Sequence, residues 1–295
     1  MALQERTGAL RLGGEKGDPL SGDGATGRED LGGILGWRDV AGEHGGPFRQ
    51  MLCHPRLLPY YDALCGRGYR LDHSPFVLQQ RSGAEGFVLH GGAVDDAGRP
   101  DWELAYGCRN GTMRCNLLAA SLQLVDTAPG DGGFVLLRGS HKANFACPQA
   151  VKELKAGAEH GATPAMRAGD VLLFAEAATH GTLPWRRPDT RRVALYRFAP
   201  AAASYGRGYL REGGEVGSAA AWPSAYREGL TPAQMAVMEP PYHTRLDRPA
   251  PADDGVTTVV PEPRAGFKKD FDHSVFGTAR SRVMHIALAS ATSAA

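Results

Sequence analysis

Downstream of residue 75 the chain falls into a succession of short, β-rich runs: FVLQQ, FVLH, MRCNLLAASLQLVD, FVLLRGSH, DVLLFAE and RRVALYRF. Clusters such as APGDGG, MRAGD and PWRRPDT, whose residues favour tight turns, separate them. Many short strands with such breaks point to a sandwich or barrel and away from a parallel α/β sheet. There is no fixed-period repeat. With 295 residues, 42% hydrophobic and 22% charged, the chain can bury a sizeable core, and one main domain with extensions is expected.

The flanks read differently. Residues 1–30 are rich in glycine and charge with little apolar periodicity, which predicts a flexible leader. In PFRQMLCHPRLLPYYDALCG, Phe48, Met51, Leu52, Leu57, Leu58, Tyr61 and Leu64 recur near helical spacing and Gly66 and Gly68 are stop signals. One or two amphipathic helices are expected there. LTPAQMAVMEPPY reads as a short helix with Thr231 as cap, Pro232 in the first turn and Pro240 and Pro241 as the stop. The expected organisation is therefore a leader over 1–30, a main domain over 31–245 and a loop-rich C-terminal extension over 246–295.

A formal net charge of +1 leaves no electrostatic footprint for nucleic acid, and no dense Lys/Arg run suggests a membrane surface. A small-molecule substrate is favoured, and oligomeric state stays open. Five cysteines without a C-x-x-C pair argue for reduced thiols. Glu5 and Arg6 interrupt the place where a secretory signal would need its apolar run, so a cytoplasmic protein is expected.

The chemistry centres on two histidines. ATHGTLPW follows DVLLFAE and puts His180 where a buried strand gives way to a barrel mouth, a place suited to a metal ligand. FVLHGG repeats the arrangement with His90, and its glycines let a ligand approach the backbone. Either histidine could instead be an ordinary, satisfied structural residue. Eleven residues past His180 comes the pair Arg191 and Arg192. Arginine offers a carboxylate a planar two-bond fork, as a keto-acid cosubstrate requires, although a solvated turn arginine is common. Strand alternation puts the two arginines on opposite faces and does not choose between them. Gly206 and Gly208 lack the strand-turn-helix frame of a dinucleotide site. Zinc hydrolysis with the same histidines would leave Arg191 unexplained.

The segments HPRLLPYYDALCGRGYRLDHSPF, LQLVDTAPGDGGFVLLRGSHKANF, AGDVLLFAEAATHGTLPW and RRVALYRF, in that order, resemble the phytanoyl-CoA dioxygenase family. The GGF-x4-GSHK block and the spacing from His180 to Arg191 carry the likeness most specifically. The resemblance implies a mainly β fold, a double-stranded β-helix of jelly-roll or cupin type with flanking α-helices, and a catalytic domain of this family over 31–245. It implies an Fe(II)- and 2-oxoglutarate-dependent dioxygenase that consumes O2 and hydroxylates a small organic substrate at an unactivated C–H bond. At matching positions His90 is the first iron ligand, His180 the distal one, and Arg191, favoured over Arg192 by the family spacing, anchors the far carboxylate of 2-oxoglutarate. Thr182 matches a hydroxyl that helps hold the cosubstrate, and His141 is similar to a structural turn histidine.

One position departs from the family. Such iron sites use two histidines and a carboxylate, and the family's carboxylate lies two residues after the first histidine, where this chain has Gly92. Three readings stand open. Asp95 or Asp96, or Asp131 or Glu103 from a loop, replaces the missing ligand; no carboxylate binds and a halide or water occupies the position, as in halogenases that resemble the family; or the iron is lost and the jelly roll is a non-catalytic ligand-binding module.

Overall fold

The computed structural model describes residues 6–10, 20, 27–38, 46–205, 222–241, 248–260 and 274. Its strands are, in chain order, β1 (Arg6–Leu10), β2 (Arg28–Leu31), β3 (Arg70–Leu71), β4 (Phe76–Gln80) and β5 (Phe87–His90). They continue with β6 (Tyr106–Arg109), β7 (Thr112–Cys115), β8 (Leu118–Gln123), β9 (Gly133–Leu137) and β10 (Gly161–Ala162). The last five are β11 (Val171–Ala175), β12 (His180–Leu183), β13 (Arg191–Ala199), β14 (Ala250–Pro251) and β15 (Thr258–Val259). Short helices are α1 (Gly46–Gln50), α2 (Leu58–Cys65), α3 (Gln149–Lys152), α4 (Ser224–Arg227) and α5 (Pro232–Met238).

Two antiparallel sheets form the body, one in the order β1-β2-β4-β13-β8-β11 with β3 also on β13, the other β10-β9-β12-β5. This is the β-rich jelly roll with flanking helices that the strand pattern and the family resemblance lead one to expect. The run MRCNLLAASLQLVD, which reads as one strand, is two: β7 forms a hairpin with β6, and β8 joins the larger sheet.

Alternation along the strands separates an outer from an inner face. On β13, Ala194, Tyr196 and Phe198 enter the main apolar core together with Leu52, Leu58 and Tyr61 from the helical side and Val237 of α5. Tyr61, Tyr69 and Phe198 pack there tilted or edge-on, with ring centroids 4.5–5.5 Å apart. The opposite face of β13 therefore turns Arg191, Val193, Leu195 and Arg197 toward the smaller sheet. That sheet covers its own outer face with Leu89, Val135, Leu137 and Leu154, near α3. The polar side chains of interest lie between the sheets.

α5 starts as its sequence predicts: Thr231 and Gln234 form a reciprocal capping box, and Pro232 occupies the first turn. Two terminal expectations meet a different picture. Within 1–30, β1 pairs with β2 and β2 continues the larger sheet through β4, so this stretch is not structureless throughout. Beyond 246, Arg248 is buried and donates to the Ala236 and Glu239 carbonyls, tying the β14–β15 hairpin to α5. Gly206, Gly208 and nearly all residues beyond 260 lie outside the described residues.

Candidate metal and cosubstrate site

β12 lies between β9 and β5, and its register sets His180 opposite His90. The two imidazole centroids are 4.5 Å apart. Nδ1 of His90 is 3.1 Å from the Val88 carbonyl and Nδ1 of His180 is 2.7 Å from the Ala178 carbonyl. A carbonyl can only accept, so each Nδ1 carries a hydrogen, and each neutral ring keeps its lone pair on Nε2. That tautomer, fixed by a backbone acceptor, is the one a metal ligand needs. Burial, helped by the neighbouring His180, brings the His90 pKa down to about 4. Burial also lowers that of His180, against the upward pull of Glu176. Phe174 packs 4.7 Å and Phe134 6.1 Å from the His180 ring, and Phe87 4.8 Å from that of His90, so the walls are aromatic.

Arg191 stands on the inner face of β13 and is 3% exposed. Its Nη1 donates to Gln80 Oε1 at 2.8 Å, and its Nε has no acceptor among the described residues. Burial, with a smaller contribution from Arg28, draws its pKa to about 10, so it remains a cation at neutral pH. A buried cation without a counter-ion is unfavourable, and a carboxylate is the group that would complete it. Gly133 makes the room: a Cβ there would lie 2.8 Å from Arg191 Nε, which gives the second glycine of the GGF block a physical reason. Arg192 faces outward and donates to Gln79 Oε1 at 2.7 Å. Thr182 is buried on the same face of β12 as His180.

The four carboxylates considered as replacements for the one missing at Gly92 are engaged elsewhere or exposed. Asp95 accepts from the backbone of Ala97 and Arg99 and from the Arg99 side chain, Asp96 meets Lys152 on the surface, and Asp131 caps Ala128 and faces Arg187. Glu103 is exposed, in a shallow groove with Asp101 and Tyr205. The carboxylate beside the histidines is instead Glu176, just past β11 and 5% exposed. Its Oε1 accepts from Arg197 Nε at 2.6 Å and its Oε2 is 3.6 Å from His180 Nε2. Burial alone would raise its pKa, but Arg197, joined by His180 when that ring is protonated, holds it below the ordinary carboxylate value. Glu176, Arg197 and Gln80 were not singled out from the sequence. Among the described residues no three His, Cys, Asp or Glu side chains form a closed metal cluster; the arrangement is a histidine pair with a carboxylate drawn partly toward Arg197.

His141 packs edge-on against Tyr106, 4.7 Å between centroids, away from the pair. Its neighbour Ser140 donates to the Leu137 carbonyl and accepts from the Thr179 N–H, so the GSHK turn braces the residue preceding His180. A cavity of about 690 Å3 on the helical side, lined by Arg49, Cys53, His54 and Gln234, contains none of these residues. Among the described residues, no helix is long and apolar enough to cross a membrane.

A family model described as phytanoyl-CoA dioxygenase (PhyH) matches residues 43–193, more than half of the chain. The chain belongs to the phytanoyl-CoA dioxygenase family. As a family member it is an Fe(II)- and 2-oxoglutarate-dependent enzyme of the oxygenase type. Among solved structures it is similar to HygX from Streptomyces hygroscopicus with nickel and 2-oxoglutarate bound, at 23% identity and a TM-score of 0.50, covering 65% of this chain and 74% of that one. The same protein with nickel, 2-oxoglutarate and hygromycin B bound gives 23% identity over the same shares and a TM-score of 0.51. The α-ketoglutarate-dependent epimerase SnoN from nogalamycin biosynthesis is 19% identical, with coverage of 68% and 70% and a TM-score of 0.43. At 23% identity the likeness to HygX speaks to the fold. No curated protein matches the chain.

Proposed function

We propose that this phytanoyl-CoA dioxygenase family member hydroxylates a small organic substrate at an unactivated C–H bond, with His90 and His180 as iron ligands and Arg191 and Thr182 as the cosubstrate clamp. The observation that carries the reading is Arg191: an enclosed guanidinium with no carboxylate partner among the described residues and an unsatisfied Nε, in the same interior as two neutral, backbone-oriented imidazoles. A structural arginine in such a place would ordinarily be paired.

Ferrous iron and 2-oxoglutarate, when bound, would supply the electrons that activate O2, the oxidant, a task for which no side chain serves. The chain does the rest. His90 and His180 present Nε2 while their Nδ1–H groups stay on the Val88 and Ala178 carbonyls, so neither ring needs to turn or lose a proton. Arg191 receives the distal carboxylate, held in direction by Gln80. Phe87, Phe134 and Phe174 keep water from the reacting centre.

Measuring succinate release with Fe(II) and 2-oxoglutarate tests this. His180→Ala is expected to abolish it, and Arg191→Ala to raise the KM for 2-oxoglutarate by about 10- to 100-fold, the range for losing a charge-assisted pair. Undiminished succinate release in both variants would refute the proposal. A halogenated product formed only with added chloride would replace hydroxylation with the halide reading of Gly92.

A further inference from the structure

We infer that Glu176 is the carboxylate ligand of the metal, taking the place of the acidic residue absent at Gly92. The inference rests on the reading of His90 and His180 as ligands and adds the group that completes the set.

Lone pairs of His180 and Glu176 confront each other. His180 commits its Nδ1 hydrogen to Ala178, so its Nε2 faces Glu176 Oε2 with no hydrogen between them. At 3.6 Å the two are too far apart for a hydrogen bond. Two electron-rich atoms directed at one another inside a protein repel, and a cation held by both relieves that repulsion. Glu176 Oε1 is already occupied by Arg197 at 2.6 Å, so the carboxylate is oriented with Oε2 as its free ligating atom. That is the usual second-layer arrangement of a metal-binding carboxylate, itself hydrogen-bonded from behind.

The backbone around His90 favours the same assignment. Gly91 and Gly92 have φ of 84° and 107°, and Gly92 N donates to the Glu176 carbonyl at 3.1 Å. A Cβ on Gly91 would lie 2.6 Å from the Glu176 carbonyl oxygen and 2.8 Å from that of Ala178. The two glycines after His90 thus permit the 176–178 turn to lie directly against the strand end that carries His90. The residue pair that removes the family's acidic ligand is the pair that admits Glu176. Asp95, Asp96, Asp131 and Glu103, all exposed or engaged elsewhere, leave no competitor among the carboxylates considered.

Anaerobic Co(II) titration followed by the visible spectrum of the bound ion reads the ligand set without turnover. The variants are Glu176→Gln, which keeps an oxygen for Arg197, and Glu176→Leu with Arg197→Met, which replaces the buried ion pair with apolar groups. Each is compared with wild type and His180→Ala. The expected result is tight binding by wild type, loss in His180→Ala, and affinity lowered more than about 10-fold with a changed spectrum in both Glu176 variants. Wild-type affinity and spectrum in a folded Glu176 variant, with binding still lost in His180→Ala, would overturn the assignment of Glu176 and leave the histidine site standing. Absence of Co(II) binding in wild type would overturn both. A crystal structure of the wild-type protein with Co(II) decides independently of how the variants fold: Glu176 Oε2 within about 2.0–2.2 Å of the metal supports the assignment, and water or another side chain in its place refutes it.

Discussion

Arg191 is the residue at which stability and function oppose one another. Its guanidinium is enclosed, with one hydrogen bond to Gln80 and an unsatisfied Nε. Replacing it with methionine removes a buried cation that has no carboxylate partner among the described residues, while keeping the bulk. In the absence of cosubstrate, Arg191→Met should therefore match or exceed wild type in melting temperature, and it should lose the thermal shift that 2-oxoglutarate gives the metal-loaded wild type. Calorimetry of both forms checks this, and a strongly destabilised apo variant would show that the guanidinium supports the fold beyond its bond to Gln80. The histidines make a pH prediction. His90 titrates at about 4 in the fold against an ordinary 6.5, and His180 is lowered as well. Between those values the unfolded chain binds more protons than the folded one, so acid favours unfolding. Apo stability should fall as pH drops from about 6.5 toward 4, and His90→Gln should flatten part of that slope in denaturant titrations.

Among the elements, the turn that follows β9 and the segment that joins β11 to β12 decide where these side chains stand. Ser140 holds the Thr179 N–H just before His180. Ser140→Ala leaves that buried N–H unpaired and should cost about 1–3 kcal/mol, read from urea midpoints, with weaker metal binding as the turn loosens. Gly133→Ala places a Cβ against Arg191 Nε and should raise the KM for 2-oxoglutarate while leaving Co(II) affinity near wild type. The strands themselves were legible because apolar runs and turn clusters alternate so regularly, and α5 because cap, proline and stop all agree. The break after β7 was not, since the strand-like run continues across Asn116 while the chain changes sheets. Glu176 was hidden for a related reason. It reads as the polar end of DVLLFAE, and only the fold brings Arg197 behind it and His180 in front. Gln79 and Gln80 look equivalent in FVLQQ; strand parity, invisible without the partner β13, sends one to Arg192 outside and the other to Arg191 inside.

For the whole molecule, the two sheets act as a clamp in which the outer faces carry the packing and the inner faces carry the chemistry. The main core lies between the larger sheet and the helices, so side chains between the sheets are released from the task of filling it. This division lets a buried arginine, a buried glutamate and two neutral histidines share one interior at tolerable cost to stability. On the proposed reading this interior binds iron and a keto acid together, and that joint binding can be measured. It is tested most directly by adding 2-oxoglutarate to the Fe(II)-loaded protein without oxygen and recording the visible charge-transfer absorption of a keto acid chelated to ferrous iron. Wild type is expected to give a saturable band, Arg191→Met a band reached only at much higher 2-oxoglutarate, and His180→Ala none. No band in wild type, or the same band in all three proteins, would contradict it.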